Sequence, residues 1–205
     1  MILFITLALG LGAYLLGSVP TAYIMVRLVT GHDIRRLGSR NAGALNTYQQ
    51  VGTWRAMPVL IVDAGKGMLA VLVPIWLGAP HWTVSVTTTL VVAGHNWPVF
   101  LGFRGGKGAA AIFGVSLALV PVLTLITLAP VVLIVLAVRN VVLGVAFGFL
   151  MLNILLLVSG RDAEQVALCM FLTLMVSVTY LVSIWNHVVQ SIKDHRWKEL
   201  FNGLS

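Results

Sequence analysis

The sequence predicts an all-α polytopic membrane protein with seven transmembrane helices, its N-terminus outside and its C-terminus cytoplasmic. Three observations carry that expectation. Of 205 residues, 59% are hydrophobic and only 9% are charged, where a soluble domain carries about 25% charged residues. Mean hydropathy is +0.99, and the apolar residues come in long runs rather than in alternation. The 13 Lys and Arg outnumber the 6 Asp and Glu, for a net charge of +7. They gather in the polar stretches between runs, which marks cytoplasmic loops rather than nucleic-acid binding. The length is used up by a single integral membrane domain, 1–205.

Each element follows in order. Ile2 to about Val29 is the first span. Its first basic residue is Arg27, so it lacks the charged start of a signal peptide and reads as a retained span. Gly10, Gly12 and Gly17 allow close helix packing, and Ser18-Val19-Pro20-Thr21 predicts a kink. Gly31 to Arg55 is a long polar connection with Arg35, Arg36, Ser39, Arg40, Asn41, Asn46, Gln49 and Gln50. Loops of this length usually carry function, and Ala42, Leu45 and Tyr48 argue against plain disorder.

The second span runs from about Met57 to Leu77, with Asp63 and Lys66 three apart on one face. An ionisable pair inside a span is either functional or a neutralised packing device. The third span, about Trp82 to Phe100, leads into a glycine-lysine stretch. Ala109 to Val138 is 30 residues without a charge. As one helix it would be about 45 Å long, against a bilayer core of about 30 Å. Pro121 and Pro130 are expected to interrupt it. A turn at Pro121 places every Lys and Arg except Arg161 on one side, so the positive-inside rule favours seven spans. The sixth is about Val141 to Val158 and the seventh about Ala163 to Val189. Cys169, the single cysteine, is expected in the core. The tail from Lys193 to Phe201 mixes basic and aromatic residues and reads as an interfacial helix on anionic lipid.

The chemistry concentrates in Gly94-His95-Asn96-Trp97-Pro98-Val99-Phe100-Leu101-Gly102-Phe103-Arg104-Gly105-Gly106-Lys107-Gly108. Glycines let a backbone approach a ligand and turn its N–H groups inward. Arg104 and Lys107 add positive charge, and a helix starting after Gly108 aims its positive end at the same place. This predicts a phosphate site at the membrane edge; a plain basic turn is the alternative. The spacing is not that of a P-loop: three residues, not four, separate Gly102 from Gly106, and glycine follows the lysine. His95 is a candidate base or phosphate partner, or simply holds the loop. The five histidines show no metal-ligand spacing, so no metal and no cofactor are expected.

These residues resemble the bacterial acyl-phosphate:glycerol-3-phosphate acyltransferases, small membrane enzymes that make lysophosphatidic acid. Leu16 to Ile24 is similar to the family's first span, and Gly38-Ser39-Arg40-Asn41-Ala42-Gly43-Ala44-Leu45-Asn46 to its glycine-serine-glycine-asparagine loop. Asp63-Ala64-Gly65-Lys66-Gly67 resembles its aspartate and lysine-glycine pair, and Gly94 to Gly108 its most specific motif. The resemblance implies acyl transfer from acyl phosphate to the 1-hydroxyl of glycerol 3-phosphate at the cytoplasmic face of a bacterial inner membrane. It implies those two substrates and membrane lipid as partners. The implied catalytic set is Ser39, Asn41, His95 and Lys107. Arg40, Gly43, Asn46, Asp63, Lys66, Arg104, Gly105, Gly106 and Gly108 are implied in binding substrate and phosphate. Several positions depart from the family pattern: Arg40 stands at a glycine, Leu45 at a threonine, Gln49 at an arginine, Ala111 at a threonine and Val142 at a serine. The tail has Asp194-His195-Arg196-Trp197 in place of histidine-arginine-x-asparagine. These departures keep two alternatives open: a weak or inactive relative that binds phosphate or lipid, and a small anion transporter.

Overall fold

The computed structural model describes residues 1–193, with side chains through Trp185. All regular structure among them is helical. The chain divides into two compact units, Met1–Leu119 and Val120–Ser205.

In the first unit, α1 (Ile2–Ser18) and α2 (Thr21–Thr30) are separated at Val19-Pro20. Pro20 has no N–H to continue the helical ladder, so the predicted kink is a full break. Gly31, at φ +74°, caps α2, and Arg27 Nη1 donates to its carbonyl at 2.6 Å. A 3-10 turn at Ile34–Arg36 follows, its start capped by Asp33, which accepts from the Arg35 N–H at 2.9 Å. Then come α3 (Ala44–Val51), α4 (Thr53–Trp76) and α5 (His81–Asn96). A second 3-10 turn covers Val99–Leu101, and α6 is Ala109–Leu119.

Helix α3 lies inside the stretch read from sequence as a connection. At 8 residues it is shorter than the stretch of about 11–18 over which a helical period can be read from sequence. Ala22 and Val26 of α2, Ile34, Ala42 and Val59 form a buried cluster that folds the polar stretch back over α2 and α4.

Two helix pairs approach at backbone distance. A Cβ on Gly17 would overlap the Val91 carbonyl, and one on Gly94 would overlap the Tyr14 carbonyl, so α1 and α5 meet glycine to backbone. Helices α4 and α6 repeat the arrangement through Gly67 on the Ala111 carbonyl and Gly114 on the Ala64 carbonyl. Such small-residue contacts replace the hydrophobic drive that lipid cannot provide. Gly10 packs against Leu90 and Val86 as expected, but nothing lies within 4 Å of a Cβ at Gly12. The reading of Gly12 as a packing position is therefore corrected.

In the second unit, α7 (Pro121–Val138), α8 (Val141–Val158) and α9 (Ala163–Lys193) follow in order. The uncharged run breaks at Val120, with Pro121 opening α7, as predicted. Pro130 does not interrupt: α7 continues through it. A membrane helix tolerates the one hydrogen bond that proline removes. Gly144 and Gly148 of α8 take up Val135 and Val131 of α7, and Asn153 Nδ2 donates to Thr173 Oγ1 of α9 at 2.9 Å. Cys169 is buried and unpaired with another cysteine.

Among the described residues, five segments are long and apolar enough to cross a membrane: Ile2–Thr30, Thr53–Trp76, Pro121–Val138, Val141–Val158 and Ala163–Trp185. Helices α5 and α6, with 16 and 11 residues, reach about 24 Å and 17 Å. The protein is thus helical and polytopic. The tail beyond Lys193 and the side chains of Asn186 and His187 lie outside the described residues.

Candidate active site

The break between α1 and α2 is held by charge. Lys66 Nζ donates to Asp63 Oδ1 at 2.8 Å, to Thr21 Oγ1 at 3.3 Å and to the Val19 carbonyl. Thr21 Oγ1 also donates to Asp63 Oδ1. Asp63 and Lys66 are 1% and 3% exposed. The spacing of three that put them on one helical face thus makes a buried ion pair directed at the polar gap opened by Pro20. His95 Nδ1 lies 3.8 Å from Asp63 Oδ1, so the histidine joins the same cluster from α5. Two buried oxygens there, Ser18 Oγ and Asp63 Oδ2, have no hydrogen-bond partner among the described residues.

The glycine-lysine stretch wraps around His95. Pro98 stops α5, and Gly102 and Phe103, at φ +62° and +61°, reverse the chain. Gly105 and Gly106 donate their N–H groups to the Asn96 and His95 carbonyls at 3.1 and 3.0 Å. A Cβ on Gly106 would overlap His95 Nε2, and one on Gly105 would overlap the His95 carbonyl and Pro98. These two glycines therefore seat the loop on the histidine, and their N–H groups are occupied by the loop's own carbonyls. Lys107 is half-buried, and desolvation lowers its amine to about 8. Gly108, at φ +84°, begins the turn into α6 and accepts from the Ile112 N–H at 2.9 Å. Arg104 is exposed.

The first polar loop is built around Asn46. Its Nδ2 donates to the Asn41, Leu37 and Ile34 carbonyls at 2.9, 3.1 and 3.4 Å, and the side chain is wholly buried. Asn46 thereby shapes the turn that presents Ser39 and Arg40, both exposed, with Asn41 half-buried beside them. Arg40 sits at φ +60°, a left-handed conformation that costs a non-glycine residue about 1–2 kcal/mol. Gly43 caps α3, its carbonyl accepting from both the Thr47 N–H and hydroxyl at 3.0 Å.

Two bonds join the loops. Arg35 Nη1 donates to the Leu101 carbonyl at 2.7 Å, and the Ala42 N–H to the Gly105 carbonyl at 3.5 Å. Arg35 is itself fixed by Asp33, 2.8 Å away. The Arg35 hydrogen bond holds the Asp33 carboxyl below its ordinary range. Ser18, Thr21, Ala42, Asp63, His95 and Gly106 thus line one narrow cleft of about 10 Å³, room for about one water.

The clusters expected to share one face are brought together. Asp63 and Lys66 form the floor behind His95, whereas Ser39, Arg40 and Arg104 lie outward. From the sequence alone, Ser18 and Thr21 mark a kink and Arg35 is one of several polar groups in a long connection. The signal was present in each case: a hydroxyl on either side of a proline break facing an intramembrane charge, and an Asp-x-Arg pair at a turn. Of the departures from the family pattern, Ala111 is wholly buried where α6 meets Gly67, and Gln49 is exposed on α3.

The profile of the family described as glycerol-3-phosphate acyltransferase matches residues 7–193. Glycerol-3-phosphate acyltransferase 1 of Dehalococcoides mccartyi is 37% identical over 82% of this chain and 84% of its own length. The Synechococcus enzyme of the same description is 36% identical over 91% and 90%. Glycerol-3-phosphate acyltransferase 2 of Moorella thermoacetica is 50% identical, but over only 53% of this chain and 56% of its own. Among solved structures, PlsY (YgiH), an integral membrane glycerol 3-phosphate acyltransferase in its glycerol 3-phosphate form, has a TM-score of 0.81. It shows 28% identity and covers 93% of both chains. With the family profile spanning both polar loops and the buried ion pair between them, this chain belongs to the glycerol-3-phosphate acyltransferase family.

Proposed function

We propose that the chain transfers the acyl group of an acyl phosphate to the 1-hydroxyl of glycerol 3-phosphate. The hydroxyl oxygen attacks the acyl carbon, the bond to the phosphate oxygen breaks, and the hydroxyl proton leaves with inorganic phosphate. Lysophosphatidic acid remains in the membrane. A mixed anhydride carries its own good leaving group, so positioning and charge stabilisation suffice and no covalent enzyme intermediate is required. The observation that carries this reading is the joining of the Ser39 loop to the Lys107 loop through Arg35 and Ala42. That joining supports a shared rim for the Ser39 hydroxyl, the Asn41 amide and the Lys107 ammonium.

On this reading Lys107, Arg104 and the positive end of α6 hold phosphate, with Gly108 giving the backbone close approach. Ser39 and Asn41 orient the acceptor and the reacting carbonyl, and Arg40 adds a cation where Gln49 gives none. Gly43 and Asn46 hold the Ser39 turn, and Gly105 and Gly106 seat the loop on His95. His95, backed by Asp63 and Lys66, keeps that loop in place. The two solved relatives, described as glycerol 3-phosphate and lysophosphatidic acid forms, support the acceptor and the product. We place the single membrane domain in a bacterial cytoplasmic membrane, N-terminus outside and C-terminus inside. The seven crossings include α5 and α6 as short ones, and the rim faces the cytoplasm. The one-sided placement of the basic residues supports this topology.

The test is lysophosphatidic acid formation by the purified protein from glycerol 3-phosphate and palmitoyl phosphate. Turnover is expected, with Lys107→Ala reducing kcat/KM at least a hundredfold, the usual loss for one charge-stabilising donor. Wild-type kcat/KM in that variant removes the loop from the site.

A further inference from the structure

A second cavity, of about 350 Å³, shares no lining residue with the cleft. Tyr23 and Arg27 of α2 form one wall, and His32, Asp33, Arg36 and Leu37 of the following turn form the other. It opens where the apolar segment Ile2–Thr30 ends, at the edge of the membrane. Its electrostatics are cationic. The Asp33 carboxylate is matched by Arg35 in a fork with contacts of 2.8, 3.1 and 3.2 Å. Arg35 itself lies over the Tyr23 ring and reaches for Leu101. Arg36 also faces the Asp33 carboxylate through charge, and with Arg27, both exposed, it leaves the lining with an excess of positive over negative side chains. Among the described residues, Arg27 makes one hydrogen bond, to the Gly31 carbonyl at the helix end, and a guanidinium has five N–H donors.

Beside this polar recess runs an apolar stripe. Ile24 and Leu28, four residues apart on α2, are 44% and 80% exposed. They neighbour the Tyr23 and Arg27 row of the same helix. Two exposed guanidiniums lining one recess beside an exposed aliphatic stripe suit an amphiphile with a phosphate head. A free phosphate would have no use for the stripe.

We propose that this cavity binds the headgroup of an anionic glycerophospholipid, its phosphate between Arg27 and Arg36 and its chains along Ile24 and Leu28. Guanidinium forks match phosphate oxygens in geometry and charge. The recess has the volume of an ordinary small-ligand site, and anionic lipids concentrate where basic residues meet the leaflet.

Native mass spectrometry of the full-length protein, released from detergent with added phosphatidylglycerol or phosphatidylcholine, tests this. Phosphatidylglycerol should stay bound more tightly than phosphatidylcholine. Arg36→Gln and Arg27→Gln should each weaken it about fivefold, the usual worth of one basic side chain at an anionic surface. Arg27→Lys should keep most of the affinity, and Arg55→Gln, an exposed arginine elsewhere in the same unit, should change nothing. Equal retention of the two lipids overturns the site. So does an Arg55→Gln loss as large as that of Arg36→Gln, which would mean diffuse charge. Displacement of the lipid by excess inorganic phosphate would assign the recess to a free anion instead. If Arg27→Gln disturbs the end of α2, Arg36→Gln decides: unchanged phosphatidylglycerol affinity in that folded variant refutes the proposal.

Discussion

Replacing Lys66 by methionine removes the charge and shortens the unbranched side chain by only its terminal atom. Asp63, 1% exposed, then loses the ammonium 2.8 Å from its Oδ1. The Thr21 hydroxyl still donates to it, and His95 Nδ1 remains 3.8 Å away. The Val19 carbonyl loses the Lys66 ammonium as donor. Removing one partner of a buried pair costs about 3–5 kcal/mol, because the other charge is left uncompensated in low dielectric. A chain of this size loses about 2–4 °C of melting midpoint per kcal/mol, so Lys66→Met should unfold about 6–20 °C earlier. The double variant Asp63→Leu/Lys66→Met removes both charges. It should recover most of that loss: the Val19 carbonyl still accepts from the Thr21 N–H at 3.1 Å, and the Thr21 hydroxyl, left without its carboxylate acceptor, retains a cost of about 1 kcal/mol. The assay is thermal unfolding followed by tryptophan fluorescence in one detergent throughout. A shift below about 3 °C for Lys66→Met refutes the reasoning, since it would place the pair in the weak range of exposed ion pairs. A double variant as unstable as the sum of the two single ones would refute it equally, since coupled groups must be non-additive.

Three further outcomes are expected. Burial lowers the Lys107 amine to about 8, so above that pH Lys107 loses its charge and leaves Arg104 as the loop's cation; kcat/KM should fall about tenfold per pH unit there, and Lys107→Arg should move that limb upward. A pH profile that stays flat to about pH 10 counts against the role. Gly94→Ala drives a methyl into the Tyr14 carbonyl and should cost about 1–3 kcal/mol or more by overpacking, while Gly12→Ala, with open space around it, should be neutral or gain up to about 1 kcal/mol; equal melting midpoints for the two would contradict the α1–α5 contact. Arg40→Gly relieves the left-handed strain and should stabilise by about 1 kcal/mol, yet it should raise the KM for glycerol 3-phosphate; an unchanged KM would deny Arg40 any part in replacing the arginine missing at Gln49.

The spans were legible where composition alone decides them. Val141–Val158 coincides with α8, and Pro121 marks the start of α7, because a long apolar run and a proline at N1 are both local signals. Helix α3 was not legible, since it is only 8 residues long and its place is fixed by Asn46 bonding to three carbonyls of the preceding stretch. At the site, the residue types were readable and their orientation was not. Gly105 and Gly106 read as phosphate donors, but their N–H groups turn to Asn96 and His95. The partners of Lys66, Val19 and Thr21, lie more than forty positions away in sequence, and no spacing rule reaches that far. Which glycines face a backbone is likewise a tertiary fact: Gly12 and Gly17 are equivalent in sequence and opposite in space.

The narrowness of the cleft beside His95 bears on a competing reaction. An acyl phosphate is as open to attack by water as by an alcohol, and water is the more abundant nucleophile. A recess of about 10 Å³ between Ser18, Asp63, His95 and Gly106 admits about one water. With donor and acceptor on the rim at Ser39, Asn41 and Lys107, as proposed, a recess this small supplies no more than about one water from behind them. Hydrolysis is then left to water arriving from the open side, which the acceptor itself covers when it is bound.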